Sequence, residues 1–211
     1  MTTLSLGYNQ PLYLLPFDHR SSFTKGLLGV TGDLTPEQSA KVSEFKNIIY
    51  HGFELGVAQG VPKSAAAILV DEEFGASILR DAITKKYVVC MPVEKSGQTE
   101  FDFEYGGSFI EHLTLFRPTF AKVLVRYNPE GDKELNVRQR AKLRGLGQAA
   151  KDTGCKFLAE VLIPPTLEQL AGVGGDNERY DVELRPQLAV NMIRELQNDG
   201  VEPDVWKLEG F

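Results

Sequence analysis

Residues 120–163 read FAKVLVRYNPEGDKELNVRQRAKLRGLGQAAKDTGCKFLAEVLI. The stretch opens and closes on short runs, 120–127 and 156–163, rich in Val, Leu, Ile and Phe. Near-continuous apolar runs of this length are what parallel strands covered on both faces require. Between them, residues 134–152 carry apolar side chains at helical spacing, and the TGC break at 153–155 supplies a helix stop. Strand, helix, strand is one βαβ unit, whose crossover is right-handed. The same reading extends in both directions. Strands are predicted at 12–18 (LYLLPFD), 65–71 (AAAILVD), 87–94 (YVVCMPVE) and 204–209 (DVWKLE). Helices are predicted at 37–58, where Val42, Phe45, Ile49, Phe53 and Val57 form a stripe, and at 74–84 through Ile78, Leu79 and Ala82. A shorter helix is expected over 107–116, ending before Arg117-Pro118, and another over 183–199 through Leu188, Met192, Ile193 and Leu196. Breaks at GVAQGVP and NDGVEPD separate helix from strand.

Uninterrupted strand–helix alternation specifies an α/β fold. No strand is followed by a GxGxxG or GxxxxGK[ST] loop, so neither dinucleotide nor P-loop chemistry is indicated; GVGGD at 172–176 precedes a helix and reads as a loop. The architecture expected is a (β/α)8 barrel, with chemistry at the carboxyl ends of its strands. Six strands are legible, whereas a complete barrel takes ~250 residues. The 211 residues are therefore expected to be a single barrel domain carrying strands 1–6, with strands 7 and 8 and the phosphate-binding loops missing from its C-terminal side.

Composition narrows the partners. With 42% hydrophobic and 25% charged residues the chain is an ordinary globular protein, and it has no apolar run long enough to span a bilayer. The net charge is −6, and the one basic grouping, Arg138, Arg140 and KLR at 142–144, falls on a predicted helix, so no nucleic-acid footprint is expected. Cys90 and Cys155 lie far apart in predicted strands, and the N-terminus lacks the basic start and cleavage site of a secretory signal. Free thiols in a cytoplasmic protein follow. His19, His51 and His112 make no metal-binding pattern, so no metal is expected.

The strand ends carry the chemistry. The first strand runs into Asp18-His19-Arg20, the second into Asp71-Glu72 and the third into Glu94-Lys95. In the fourth strand Lys122, Leu124 and Arg126 share one face; in the fifth Glu160 shares a face with Leu158 and Leu162; in the sixth Lys207 alternates with Trp206 and Leu208. Three successive strands thus place a charge where apolar residues are favoured, which is costly unless the charges are paired. A Lys, Glu, Lys set of this kind suits amine catalysis. A lysine made nucleophilic by burial or a neighbouring ammonium attacks a ketone, a carboxylate shuttles the protons of dehydration, and a further base takes a hydroxyl proton as a carbon–carbon bond breaks.

DHR after the first strand, AKVLVRYN in the fourth, FLAEVL in the fifth and DVWKLEG in the sixth resemble the class I aldolase barrels of the tagatose-bisphosphate aldolase type. LVDEEFG and VEKSG after the second and third strands add to the likeness. The run MPVEKSGQTEFDFEYG, with KVLVRYNPEGD and RPQLAVNMIRELQNDGVEPDVWKLEG, is similar to an aldolase-like domain found alone or fused behind 5-dehydro-2-deoxygluconokinase in bacterial inositol breakdown. The resemblance implies that Lys207 forms the Schiff base, Glu160 shuttles protons, Lys122 is the second lysine and Asp18 handles the substrate hydroxyl proton. Arg20, Lys95 and Arg126 are the candidate substrate-binding residues. The implied reaction is reversible cleavage of a phosphorylated keto sugar or keto acid, releasing dihydroxyacetone phosphate. For the aldolase-like domain of inositol breakdown the implied substrate is 2-deoxy-5-keto-gluconate 6-phosphate, with malonate semialdehyde as the other product. No cofactor is implied; a homo-oligomer, or fusion to a sugar-kinase domain as in relatives, is the assembly to expect.

Structural readings stand beside these. Lys207 could snorkel to solvent, Glu160 and Lys122 could form a structural ion pair, and Asp18 could cap a loop. Arg20 fits an ordinary surface pair as well as a phosphate or carboxylate, and Glu94, Lys95 and Glu209 fit rim contacts. Met91, Trp206 and the Phe residues of 101–103 read as packing. A barrel core kept as a non-catalytic interaction domain is the alternative function, and metal-dependent aldol chemistry a more distant one.

Overall fold

The computed structural model describes residues 5–210. Six strands, β1 (Tyr13–Pro16), β2 (Ala66–Leu69), β3 (Val88–Pro92), β4 (Phe120–Arg126), β5 (Lys156–Leu162) and β6 (Val205–Leu208), form one sheet in chain order, with every neighbouring pair parallel. Each predicted strand is present, shorter at its ends, and those ends are where the chain turns out of the sheet. The sheet is curled into a partial barrel. In a flat sheet β1 and β4 would stand three spacings of about 4.8 Å apart, yet Asp18, just beyond β1, forms an ion pair of 2.9 Å with Lys122 in β4.

The helices alternate with the strands. They are α1 (Ser21–Leu28), α2 (Pro36–Ala58), α3 (Glu72–Thr84), α4 (Phe109–Phe116), α5 (Lys133–Thr153), α6 (Leu167–Gly172), α7 (Asn177–Arg179) and α8 (Arg185–Asn198). A single π-helical turn, Tyr180–Leu184, joins α7 to α8, and a 3-10 turn, Gly106–Ser108, leads into α4. Starts are set by capping. Thr35 and Gln38 exchange side-chain and backbone bonds at α2, Asp71 accepts from the Phe74 N–H at α3, and Asp132 accepts from the Leu135 N–H at α5. Gly154 ends α5 at φ 77°, a left-handed conformation that glycine adopts without penalty. At Gly75 the first turn of α3 lies so close to the end of β2 that a Cβ would run into Val70.

Two apolar layers result. The larger lies between sheet and helices and includes Ile68, Val70, Ile78, Leu79, Val89, Met91, Val123, Val125, Phe157, Val161 and Met192. The smaller fills the concave face with Leu69, Cys90, Phe120 and Leu158, joined by Leu14 and Val205. Tyr8 plugs this layer from below, its ring edge-on to Phe120 at 5.1 Å. The plug is tied down where Lys156 donates to the carbonyls of Ser5 and Gly7 and the Gly7 N–H reaches Asp204. Both cysteines are free and buried; Cys90 lies in β3, while Cys155 falls one residue ahead of β5. Among the described residues, no helix is long and apolar enough to cross a membrane.

Candidate active site

Strand register builds the site. Alternate residues of a strand face the same side, so the positions that point inward are two apart along each strand. Leu124 pairs in register with Glu160 and Glu160 with Lys207, so these three stand level on β4, β5 and β6. Lys122 is one inward position below, level with Leu158 and Pro92. Asp18 lies two residues past Pro16, and Glu94 two past Pro92. The concave face therefore changes character along its length, from an apolar floor to a ring of charges at the carboxyl ends.

Lys122 is the hub. Its side chain is 1% exposed, and its ammonium lies 2.9 Å from Asp18 Oδ2, 2.9 Å from Glu94 Oε1 and 3.0 Å from Glu160 Oε2. Burial works against this charge, but the carboxylates of Glu94, Asp18 and Glu160 outweigh it and raise the Lys122 pKa above its ordinary value. Glu160 uses its other oxygen, Oε1, to bind Lys207. One carboxylate thus lies between the two lysines, which share it rather than face each other unscreened. Lys207 is the more accessible of the pair, with 36% of its side chain exposed against 1% for Lys122. Asp18 is raised by burial, but Lys122 and the nearby His19 hold it below the ordinary carboxylate value. Glu94 goes the other way: burial pushes its carboxyl up despite Lys122 and Arg20.

These groups line a cleft of about 380 Å³. The four residues expected to carry chemistry, Asp18, Lys122, Glu160 and Lys207, meet there although Asp18 and Lys122 are 104 positions apart. The three expected substrate-binding cations also reach its wall, in different states. Arg20 is 7% exposed; it donates to Glu104 at 2.8 Å and to the Glu94 carbonyl at 2.7 Å. Lys95 and Arg126 are exposed at the mouth, where Arg126 donates to the Gln98 carbonyl at 3.0 Å. Glu209, a possible rim contact by sequence, instead accepts from the Ile163 N–H and ties β6 to the loop after β5.

Two features escaped the sequence. Glu94, read as a rim contact, is buried at the centre of the site, because the backbone is held on both sides of it. Val93 N–H bonds to the Lys122 carbonyl, Lys95 N–H to the Asp102 carbonyl, and Glu94 bridges to Phe103. The signal was its place two residues beyond an inward-facing proline, the same offset as Asp18 from Pro16. The second is Lys46, wholly buried in α2, which donates to the carbonyls of Phe17 at 2.9 Å and His19 at 3.1 Å and pairs with Asp71. It clamps the backbone on either side of Asp18, while Asp71 caps α3. Its signal was a lysine four residues after Val42, on the apolar stripe itself.

No group of three or more His, Cys, Asp or Glu side chains among the described residues is arranged to hold a metal ion. The basic grouping on α5 is engaged internally: Arg138 with Glu100, Arg140 with Glu195 and Asp199, Lys142 with Asp102 and Arg144 with Asp199.

Fold and site together define an α/β protein with an ion-pair-lined cleft at the carboxyl ends of a curled parallel sheet, the end where barrel enzymes carry their active sites. The chain belongs to the family described as "Uncharacterized protein conserved in bacteria (DUF2090)", whose model matches residues 2–211. No curated protein matches the chain.

Proposed function

We propose that this chain is a Schiff-base aldolase, built on a (β/α)8-type barrel of which β1–β6 are the first six strands, acting on a phosphorylated keto sugar or keto acid. One observation carries the reading: a part-exposed lysine, Lys207, shares a carboxylate with a buried second lysine inside a cleft at the strand carboxyl ends. The resemblance to the tagatose-bisphosphate aldolase type and to the aldolase-like domain of inositol breakdown supports it, and makes 2-deoxy-5-keto-gluconate 6-phosphate the substrate to try first. Dihydroxyacetone phosphate and an aldehyde are the products.

The chemistry follows from the proton inventory. Lys207 passes a proton to the paired Glu160 carboxylate as substrate enters. The free amine adds to the ketone carbon, and Glu160 returns the proton to the carbonyl oxygen. The same carboxyl then takes a proton from nitrogen and gives it to the departing hydroxyl, leaving an iminium and water. Asp18, held ionised by Lys122, removes the proton of the β-hydroxyl. The bond between the α and β carbons breaks, the aldehyde leaves, and the electron pair moves into the iminium to give an enamine. The proton on Asp18 returns to the enamine carbon, and water hydrolyses the iminium to free the ketone and Lys207. Lys122 stays charged throughout and neutralises the carboxylates that do the work.

Sodium borohydride tests this, because it reduces an iminium to a stable secondary amine. Incubating the folded chain with dihydroxyacetone phosphate and borohydride should add the mass of one reduced ketone per chain and abolish aldol cleavage. A folded chain that gains no mass contradicts the proposal.

A further inference from the structure

Lys46 occupies a costly place. It stands in the middle of α2 on the buried line Val42, Lys46, Tyr50, and its side chain is wholly enclosed. A buried ammonium is tolerated where its charge is neutralised and each of its three N–H groups finds an acceptor. All three do here: one donates to the Phe17 carbonyl at 2.9 Å, one to the His19 carbonyl at 3.1 Å and one to Oδ1 of Asp71. The rings of Phe23 and Phe74, each centred 5.6 Å from the ammonium, complete its surroundings. Neither Lys46 nor Asp71 lines the cleft, so neither is placed to meet substrate.

Two of the three acceptors bracket Asp18. Residues 17–20, between β1 and α1, are irregular, so no strand or helix ladder fixes them. The Phe17 N–H still bonds to the Leu69 carbonyl of β2 at 2.8 Å, and the Arg20 carbonyl already accepts from the Thr24 N–H of α1 at 3.0 Å. Between these points Lys46 holds the carbonyl before Asp18 and the carbonyl after it. The Asp18 side chain pairs with Lys122, but that ammonium is shared with Glu94 and Glu160. A shared cation holds the carboxylate's charge; the backbone restraint comes from Lys46. Asp71 anchors Lys46 in turn, because its Oδ2 accepts from the Phe74 N–H at 2.9 Å and so ties the ammonium to the first turn of α3.

We infer that Lys46, anchored by Asp71, is a positioning residue for Asp18: it fixes the backbone on both sides of that carboxylate and serves the bond-breaking step, while iminium formation at Lys207 proceeds without it. A general base must stand within about 2.6–3.2 Å of the proton it takes, and a displacement of about 1 Å costs about 100-fold in rate. The inference rests on the proposed aldolase reading and divides its steps between the two edges of the sheet. Iminium formation uses Glu160 and Lys207 on β5 and β6, whereas Lys46 grips the segments after β1 and β2.

Two measurements with dihydroxyacetone phosphate as the probe separate the steps. Borohydride trapping reports the iminium. Deuterium uptake from D2O reports Asp18: the carboxylate takes a proton from the carbon beside the iminium, the C–H electron pair moves toward nitrogen to give the enamine, and a deuteron exchanged onto Asp18 returns to that carbon. The main variant is Lys46→Met with Asp71→Asn, which removes both buried charges together and keeps an oxygen for the Phe74 N–H. Lys46→Gln, which keeps an N–H2 donor, is the second, and thermal unfolding establishes that each is folded. The double variant should trap ketone at a rate within about twofold of wild type while deuterium uptake falls at least about 100-fold, toward the level of Asp18→Asn. Lys46→Gln should show a smaller fall, and that fall is the reading taken should the double variant not fold. Uptake unchanged in a folded variant overturns the inference, as does trapping that falls as far as uptake, or failure of both variants to fold, which makes Lys46 a support of the whole fold. A wild type that traps ketone but takes up no deuterium removes the role of Asp18, and the inference with it, while Lys207 keeps its own. A wild type that traps nothing removes the aldolase reading itself.

Discussion

The floor and the rim of the concave face are built from the same strands and the residues just beyond them, and obey opposite rules. On the floor, Leu69, Cys90, Phe120 and Leu158 bury apolar side chains against one another, and each stabilises the fold through surface removed from water. On the rim, Lys122 in β4 and Glu160 in β5 take the next inward positions and Glu94 stands two residues past Pro92 of β3, and each must find an opposite charge to be tolerated. Replacing the rim by a second apolar layer would be expected to leave stability unchanged or improved, since buried ion pairs are often no better than well-packed hydrophobic residues. Charges kept there at such a cost are the mark of a site rather than of a core.

Several experiments break or sharpen that contrast. Lys122→Met should be the most damaging change, because it leaves Asp18 and Glu94 buried without their cation. A loss of about 3–5 kcal/mol in denaturant unfolding is expected, together with loss of borohydride trapping. Phe120→Ala on the floor should cost a similar amount, about 3–5 kcal/mol, yet the chains that remain folded should trap ketone as the wild type does. A floor variant that abolished trapping while folded would erase the distinction between the two layers. Glu160→Gln keeps the shape of the rim but removes the proton shuttle, so iminium formation should slow by about 10²–10⁴-fold while stability changes less. Acid titration separates the layers again. Asp18 has its pKa lowered in the folded chain, so its pairing contributes stability above the ordinary value of 3.8, and that contribution is lost as pH falls below it. Asp18→Asn should flatten this acid limb, whereas Phe120→Ala should shift the whole curve without changing its shape. The smallest effect is expected at the plug, where Tyr8→Leu loses an edge-on aromatic contact worth about 0.5–1.5 kcal/mol.

The parts of this architecture that could be read from sequence were those with an internal contradiction or a long repeat. The strands announced themselves as apolar runs, and Lys122, Glu160 and Lys207 as charges inside such runs. Asp18 was legible because it ends one. Glu94 was not, because it stands beyond β3, where polar residues are ordinary; only the bridge to Phe103 and the ion pair with Lys122 turn it inward. Lys46 looked like one more helix lysine until α2 packed over the segment after β1 and buried it against Asp71. Helix α1 was missed for a related reason: eight residues, SSFTKGLL, carry too little periodicity to be recognised alone, and packing against the site loops holds them in place. The turns of α6 and α7 and the π-helical link into α8 are likewise set by contacts, among them the Tyr180 hydroxyl donating to the Ile163 carbonyl. Periodicity gives faces but not which oxygen meets which cation; the structure divides Glu160 between the two lysines, Oε1 to Lys207 and Oε2 to Lys122.

Peptide mapping of the borohydride adduct is the most direct test of the central claim, since it asks which of the two rim lysines meets substrate. With dihydroxyacetone phosphate, the reduced ketone should map to Lys207 alone and be absent from a folded Lys207→Arg variant; an adduct on Lys122, on several surface lysines or on none would contradict the assignment of Lys207 as the nucleophile.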